Sequence, residues 1–94
     1  MKYYLLKIEQ TLIDGVLNEY SNVAKQNDLQ SCEVAYYQAL ANVSADLGKN
    51  HTFMAIRIVD SLGNVIKAEN IGSYLTEVPQ PEPEEVVNEN SEAM

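Results

Sequence analysis

One cysteine and one histidine are all that this chain holds of those residue types, and each scarcity closes off a class of function. A lone Cys32 cannot close an intrachain disulfide, so no disulfide framework supports the fold. Spaced from the only histidine, His51, it matches no structural zinc pattern. A nucleophilic pair would need the two side chains within hydrogen-bond reach, whereas about 28 Å of helix separates their neighbourhoods at the usual rise per residue. The sequence therefore offers no catalytic, cofactor-binding or metal-binding residue. Gly63 lacks the companion glycines and lysine of a phosphate loop.

Positive charge is also scarce. Six Lys and Arg face fourteen Asp and Glu, a formal net charge of −8, and the imbalance is local. Glu77, Glu82, Glu84, Glu85, Glu89 and Glu92 fall in the last eighteen residues with no cation among them. The other eight acids and all six cations lie in residues 1–76, which carry only −2. With no basic patch to displace counterions, a nucleic-acid partner is not expected. The six tyrosines lack interleaved Lys or Arg and read as core and contact residues rather than base-stacking platforms. No apolar run reaches eighteen residues, and the amino terminus has no basic and apolar leader, so no membrane partner is expected. The expected location is the cytoplasm of the producing cell, or a virion.

The most informative stretch is Asn27 to Asn50. Leu29, Cys32, Tyr36, Leu40, Val43 and Leu47 recur at steps of three and four, which places them on one face of a helix and makes that face the floor of a core. Asn27 is the expected cap, with Gln30 reaching back as in a capping box, and Gly48 the expected stop. A second stripe of Val34, Tyr37, Ala41 and Ala45 lies over 100° away, between polar Gln30, Gln38 and Asn42. It is either an exposed face rich in a good helix former or a contact surface.

Around this helix the remaining segments read as strands. Residues 1–13, free of Gly and Pro, place Tyr4, Leu6 and Ile8 on one face, taken as the core face, and Tyr3, Leu5, Lys7 and Glu9 on the other. Asp14-Gly15 signals a two-residue hairpin. Val16, Leu17, Tyr20, Val23 and Ala24 then fit a helical period better than a strand period, while the turn before them asks for a returning strand; residues 16–26 are read as strand partly on that turn and partly on a family resemblance carried by other segments. His51–Asp60 is apolar enough for the middle of a sheet, with Met54, Ile56 and Ile58 facing one way and Phe53, Ala55, Arg57 and Val59 the other. Ser61-Leu62-Gly63-Asn64 turns the chain into Val65–Ile71, whose Lys67 and Glu69 suit an edge. Pro79, Pro81 and Pro83 then alternate with Gln80 and Glu82. The expectation is a folded domain over residues 1–74 and a disordered acidic tail over 75–94.

Met1-Lys2-Tyr3-Tyr4-Leu5-Leu6-Lys7-Ile8, Asp14-Gly15, the alanine-rich helix, Met54-Ala55-Ile56-Arg57-Ile58-Val59-Asp60 and Gly63-Asn64-Val65-Ile66-Lys67 together resemble a group of small phage and prophage proteins of Gram-positive gut bacteria. The resemblance spans roughly residues 1–72 and includes no catalytic motif. Where helices of that group often carry a histidine, this one has Gln38 or Asn42. It implies a strand-strand-helix-strand-strand order and a viral origin.

The expected fold is thus α+β, ββαββ: a single four-stranded antiparallel sheet of order 2-1-3-4 with the helix across one face. The uncovered face would carry Tyr3, Leu5, Phe53, Ala55 and Val59, interrupted only by Lys7, Glu9 and Arg57, too apolar for a face meant for water. The expected function is a non-enzymatic, self-associating interaction module, a homodimer serving as a virion or assembly accessory. Binding and modulating a host protein is the alternative, and an enzyme with a concealed site the least favoured. The open sheet face and the helix stripe of Val34, Tyr37, Ala41 and Ala45 are the two candidate contact surfaces.

Overall fold

The structure, a computed structural model, describes residues 1–79. Strands β1 (Tyr3–Ile13) and β2 (Val16–Gln26), helix α1 (Leu29–Asp46), and strands β3 (His51–Asp60) and β4 (Val65–Gly72) follow in that order. They form one antiparallel sheet of order β2-β1-β3-β4, with α1 packed across one face. The α+β architecture and topology are those expected from the sequence. Of the tail expected to be disordered over residues 75–94, residues 80–94 lie outside the described residues.

β2 is a strand despite its helix-like spacing, because the turn before it decides the matter. Asp14 and Gly15 both take positive φ, 52° and 77°, the two-residue loop whose twist matches the flanking strands. From it β1 and β2 zip in unbroken register, Ile13 opposite Val16 through Tyr3 opposite Gln26.

The core consists of Leu5, Cys32, Tyr36, Val43, Met54, Ile56 and Ile58, with Leu29, Leu40 and Leu47 packed against it, so the helical face read from the sequence is the buried one. Full burial of Met54, Ile56 and Ile58 contributes about 1.5–3 kcal/mol each.

Two expectations are corrected. First, Tyr3 and Leu5 do not belong to the open face. Leu5 is 3% exposed beneath α1, and Tyr3 packs against the same core. Residues of both parities in β1 are apolar, so alternation alone cannot choose its phase. Pairing chooses it: Leu5 sits opposite Ile58, and directly opposed residues share a face. Tyr4, Leu6 and Ile8 therefore line the open face. Second, the helix cap is Asp28. Its carboxylate accepts from Ser31 N at 2.7 Å and from Ser31 Oγ at 3.1 Å. Asn27 is engaged elsewhere, its Oδ1 accepting from Lys2 Nζ at 3.0 Å. At the far end Leu47 leaves the helix in an extended conformation, and Gly48 follows with φ +83°.

Candidate interaction surface

The face of the sheet turned away from α1 is built by alternation along each strand. Register places Tyr4, Leu6 and Ile8 of β1, Leu17 and Val23 of β2, and Phe53, Ala55 and Val59 of β3 on it together. Of the expected open-face residues, Phe53, Ala55 and Val59 are brought together there, while Tyr3 and Leu5 are not. Ile8 is 41% and Val23 64% exposed, with Leu6, Ala55 and Val59 half-buried between them. Arg57 does not stand out from this face as a charged barrier. Its Nη1 donates to the Ile56 carbonyl at 2.8 Å and the Glu69 carbonyl at 3.0 Å, so the guanidinium folds back onto the strands.

One end of the open face is covered by the chain itself. After β4, Ser73 N donates to Thr52 O at 2.8 Å and directs residues 74–76 across the sheet. There Gln10, 2% exposed, behaves like a backbone amide: Nε2 donates to Leu75 O at 2.7 Å, and Oε1 accepts from Leu75 N at 2.8 Å and Thr52 Oγ1 at 2.6 Å. Tyr74 meets the Phe53 ring edge-on, with centroids 5.4 Å apart, and its hydroxyl donates to Glu19 Oε1. That carboxylate holds the Tyr74 phenol above its ordinary pKa. Phe53 is therefore partly enclosed, and the free part of the face runs from Tyr4 to Ile8 and across to Val23. Neither Gln10 nor Leu75 was a sequence candidate; a glutamine in an alternating strand gives no local sign that it will satisfy a crossing segment.

The helix stripe is exposed as well. Val34, Tyr37, Ala41 and Ala45 all face solvent, but Tyr37 is engaged on one side. Lys67 Nζ lies 5.7 Å from the Tyr37 ring centre and 3.8 Å from Glu33 Oε2. These neighbours, Tyr37 first, hold the Lys67 ammonium above its usual pKa. The stripe is thus narrower than its sequence suggests.

The polar groups with chemical potential are turned inward on one another. His51 Nδ1 lies 2.7 Å from Asp46 Oδ2 and Nε2 2.9 Å from Glu9 Oε1. Burial, the largest influence, pushes the imidazole pKa down, but the hydrogen bonds and charges of Asp46 and Glu9 outweigh it, and the pKa stands above its ordinary value. With both ring nitrogens facing carboxylates, the arrangement suits an imidazolium donating twice and leaves no lone pair for a general base. Cys32 is wholly buried in the core, its thiol pKa raised by that burial and then by Glu33 and Asp28. Asp60 closes the β3–β4 turn, accepting from Leu62 N and Asn64 N at 2.9 Å and from Asn64 Nδ2 at 3.1 Å, which lowers its pKa. A cleft of about 390 Å³ beside the end of α1 is lined by Leu12, Leu47, His51, Thr52, Gly72 and Leu75. Among the described residues no cluster of His, Cys, Asp and Glu is arranged to hold a metal ion, and no helix is long and apolar enough to cross a membrane.

No protein-family model, no curated protein and no solved structure matches this chain.

Proposed function

We propose that the protein is a non-enzymatic interaction module that associates with itself, and that it serves as an accessory component in phage assembly. The observation that carries self-association is the one-layer sheet with an apolar uncovered face, from Tyr4, Leu6 and Ile8 across to Val23, extending to the border strand β2. Apolar surface of this kind gains about 25 cal/mol per Å² when covered, and two-fold self-association is the commonest way to cover it. The non-enzymatic reading rests on how the polar side chains are used. His51, Gln10 and Asp60 each hold parts of the fold together. The phage setting rests on the resemblance of residues 1–72, and with it goes a location in the producing cell's cytoplasm or in a virion.

A second reading is favoured by one observation. Val34 and Tyr37 are each more than half exposed on the helix back, a surface separate from the sheet that would suit a host protein. Sedimentation velocity over a dilution series separates the two surfaces. The expected result is a reversible dimer that Tyr37→Glu leaves intact. Dissociation by Tyr37→Glu with the fold retained would transfer self-association to the helix, and a monomer throughout would remove it.

A further inference from the structure

The sheet has two border strands, and they are protected very differently. β4 is short, with 8 residues. Its register against β3 shifts between Ile58 and Val59, and it ends at Gly72 with φ +80°. Bulges and short length are devices that keep a border from pairing with another chain. β2 has none of them. It runs 11 residues without proline, its register with β1 never shifts, and only Glu19 and Lys25 carry charge. No strand lies on its outer side among the described residues.

Which backbone groups point outward follows from the turn. A two-residue loop with both φ values positive is closed by a hydrogen-bonded pair, here Ile13 and Val16. Alternation then turns Asn18, Tyr20, Asn22, Ala24 and Gln26 inward to β1 as well. The N–H and C=O groups of Leu17, Glu19, Ser21, Val23 and Lys25 point out. A strand added to this border must be extended and antiparallel or parallel to β2, and the side chains flanking the border decide whose strand fits.

We infer that the added strand is β2 of a second copy, paired antiparallel about a two-fold axis at Asn22. This rests on the self-association proposed above, and it places the contact at the β2 border, beside the open face and not over it. The register follows from charge. With the axis at Asn22, each copy's Glu19 lies opposite its partner's residue 25, a lysine, and the two Ser21 and Val23 positions face one another. Moving the axis by one residue to Ser21 puts Glu19 against valine and Lys25 against leucine, and moving it to Tyr20 puts Glu19 against serine. Only the Asn22 axis forms both ion pairs. Space is available on the other side too, because Val16 to Asn22 are exposed on the helix-bearing face wherever register places them there. The product is a continuous eight-stranded sheet. Its two open faces lie side by side, separated by a seam of Ser21, Val23 and the Glu19–Lys25 pairs.

The geometry gives a sharp test. At a non-hydrogen-bonded antiparallel pair the Cα atoms lie about 4.5 Å apart, within disulfide range, so Asn22→Cys places two thiols face to face across the axis. Ser21→Cys would do so only if the axis passed through residue 21. Each full-length variant is oxidised with oxidised glutathione at a concentration where scattering gives the mass of the unmodified protein. Native Cys32, wholly buried, serves as the internal control. The expected result is a covalent dimer for Asn22→Cys, formed at least tenfold faster than for Ser21→Cys or for the unmodified chain. Faster linkage at Ser21→Cys overturns the register. A dimer by scattering with neither variant linked overturns the border pairing and leaves self-association standing; a monomer by scattering overturns both.

Discussion

A single oxygen, Oδ2 of Asp46, accepts from both the ring and the backbone of His51, with Nδ1 at 2.7 Å and the amide nitrogen at 3.1 Å. Asp46 is the last residue of α1 and His51 the first of β3, so this pair ties the negative end of the helix to the central sheet. Glu9 completes the clasp from β1.

The clasp sets a pH dependence. His51 titrates above its ordinary 6.5, so the stability it contributes is fully present below that value and is lost as pH rises through the folded pKa. Asp46 titrates below 3.8, lowered first by the His51 side chain, so its contribution is lost as pH falls through that depressed value. The urea midpoint should be highest between these limits and decline above pH 6.5. His51→Gln should lower the midpoint at pH 5.5 and flatten the alkaline decline. An unchanged alkaline limb in the variant would show that another group controls it.

Gly72 lies where only glycine fits. Its φ is +80°, and a Cβ there would stand 2.2 Å from the Thr52 carbonyl oxygen. Gly72→Ala should destabilise by more than the about 1–2 kcal/mol of left-handed strain alone, because a backbone group must also move. Gly15 has φ +77° with open space around it, so Gly15→Ala meets the strain without the clash and should cost less. Equal midpoints for the two variants in urea unfolding would contradict this.

In the core, Ile56→Ala removes a fully buried side chain from the central strand β3 and should cost about 2–5 kcal/mol. That is a large share of the stability of so small a domain. A loss below about 1 kcal/mol by chemical denaturation would mean the core refills around the cavity.

The crossing segment has its own signature. Gln10→Leu leaves the backbone groups of Leu75 without their partner and should cost about 1–3 kcal/mol. It should also loosen Tyr74 from Phe53, read as a change in the near-ultraviolet dichroism of the aromatic rings. Truncation after Pro79 spares this anchor and should leave the melting temperature within a few degrees; truncation after Gly72 removes it and should lower the melting temperature further. Equal melting temperatures for the two truncations would exclude a stabilising role for residues 73–79.

Helix placement and the other strands were legible because their signals are local: the Asp14-Gly15 turn, the three-and-four spacing from Leu29 to Leu47, and the apolar run of β3; residues 16–26 were read as strand only with the help of the family resemblance, since their own spacing is helix-like. The phase of β1 was not, since Tyr3 and Leu5 compete with Tyr4, Leu6 and Ile8, and only the approach of Ile58 opposite Leu5 resolves them. Asn27 and Asp28 are comparable caps in isolation, and the choice falls to Asp28 because Asn27 contacts Lys2. The Glu9–His51 contact spans 42 residues and the Gln10–Leu75 contacts 65, separations at which spacing carries no signal. Of the candidate surface, Phe53, Ala55 and Val59 were legible from alternation in β3.

The central claim, a module that joins to its own kind, is tested most directly by the molar mass of the full chain in solution. Multi-angle light scattering at micromolar concentration should give twice the 10.5 kDa chain mass. Val23→Pro, which removes an outward N–H while leaving the inward ladder of β2 intact, should return the mass to that of one chain with the far-ultraviolet dichroism retained. A mass of one chain for the unmodified protein across that range would contradict the account.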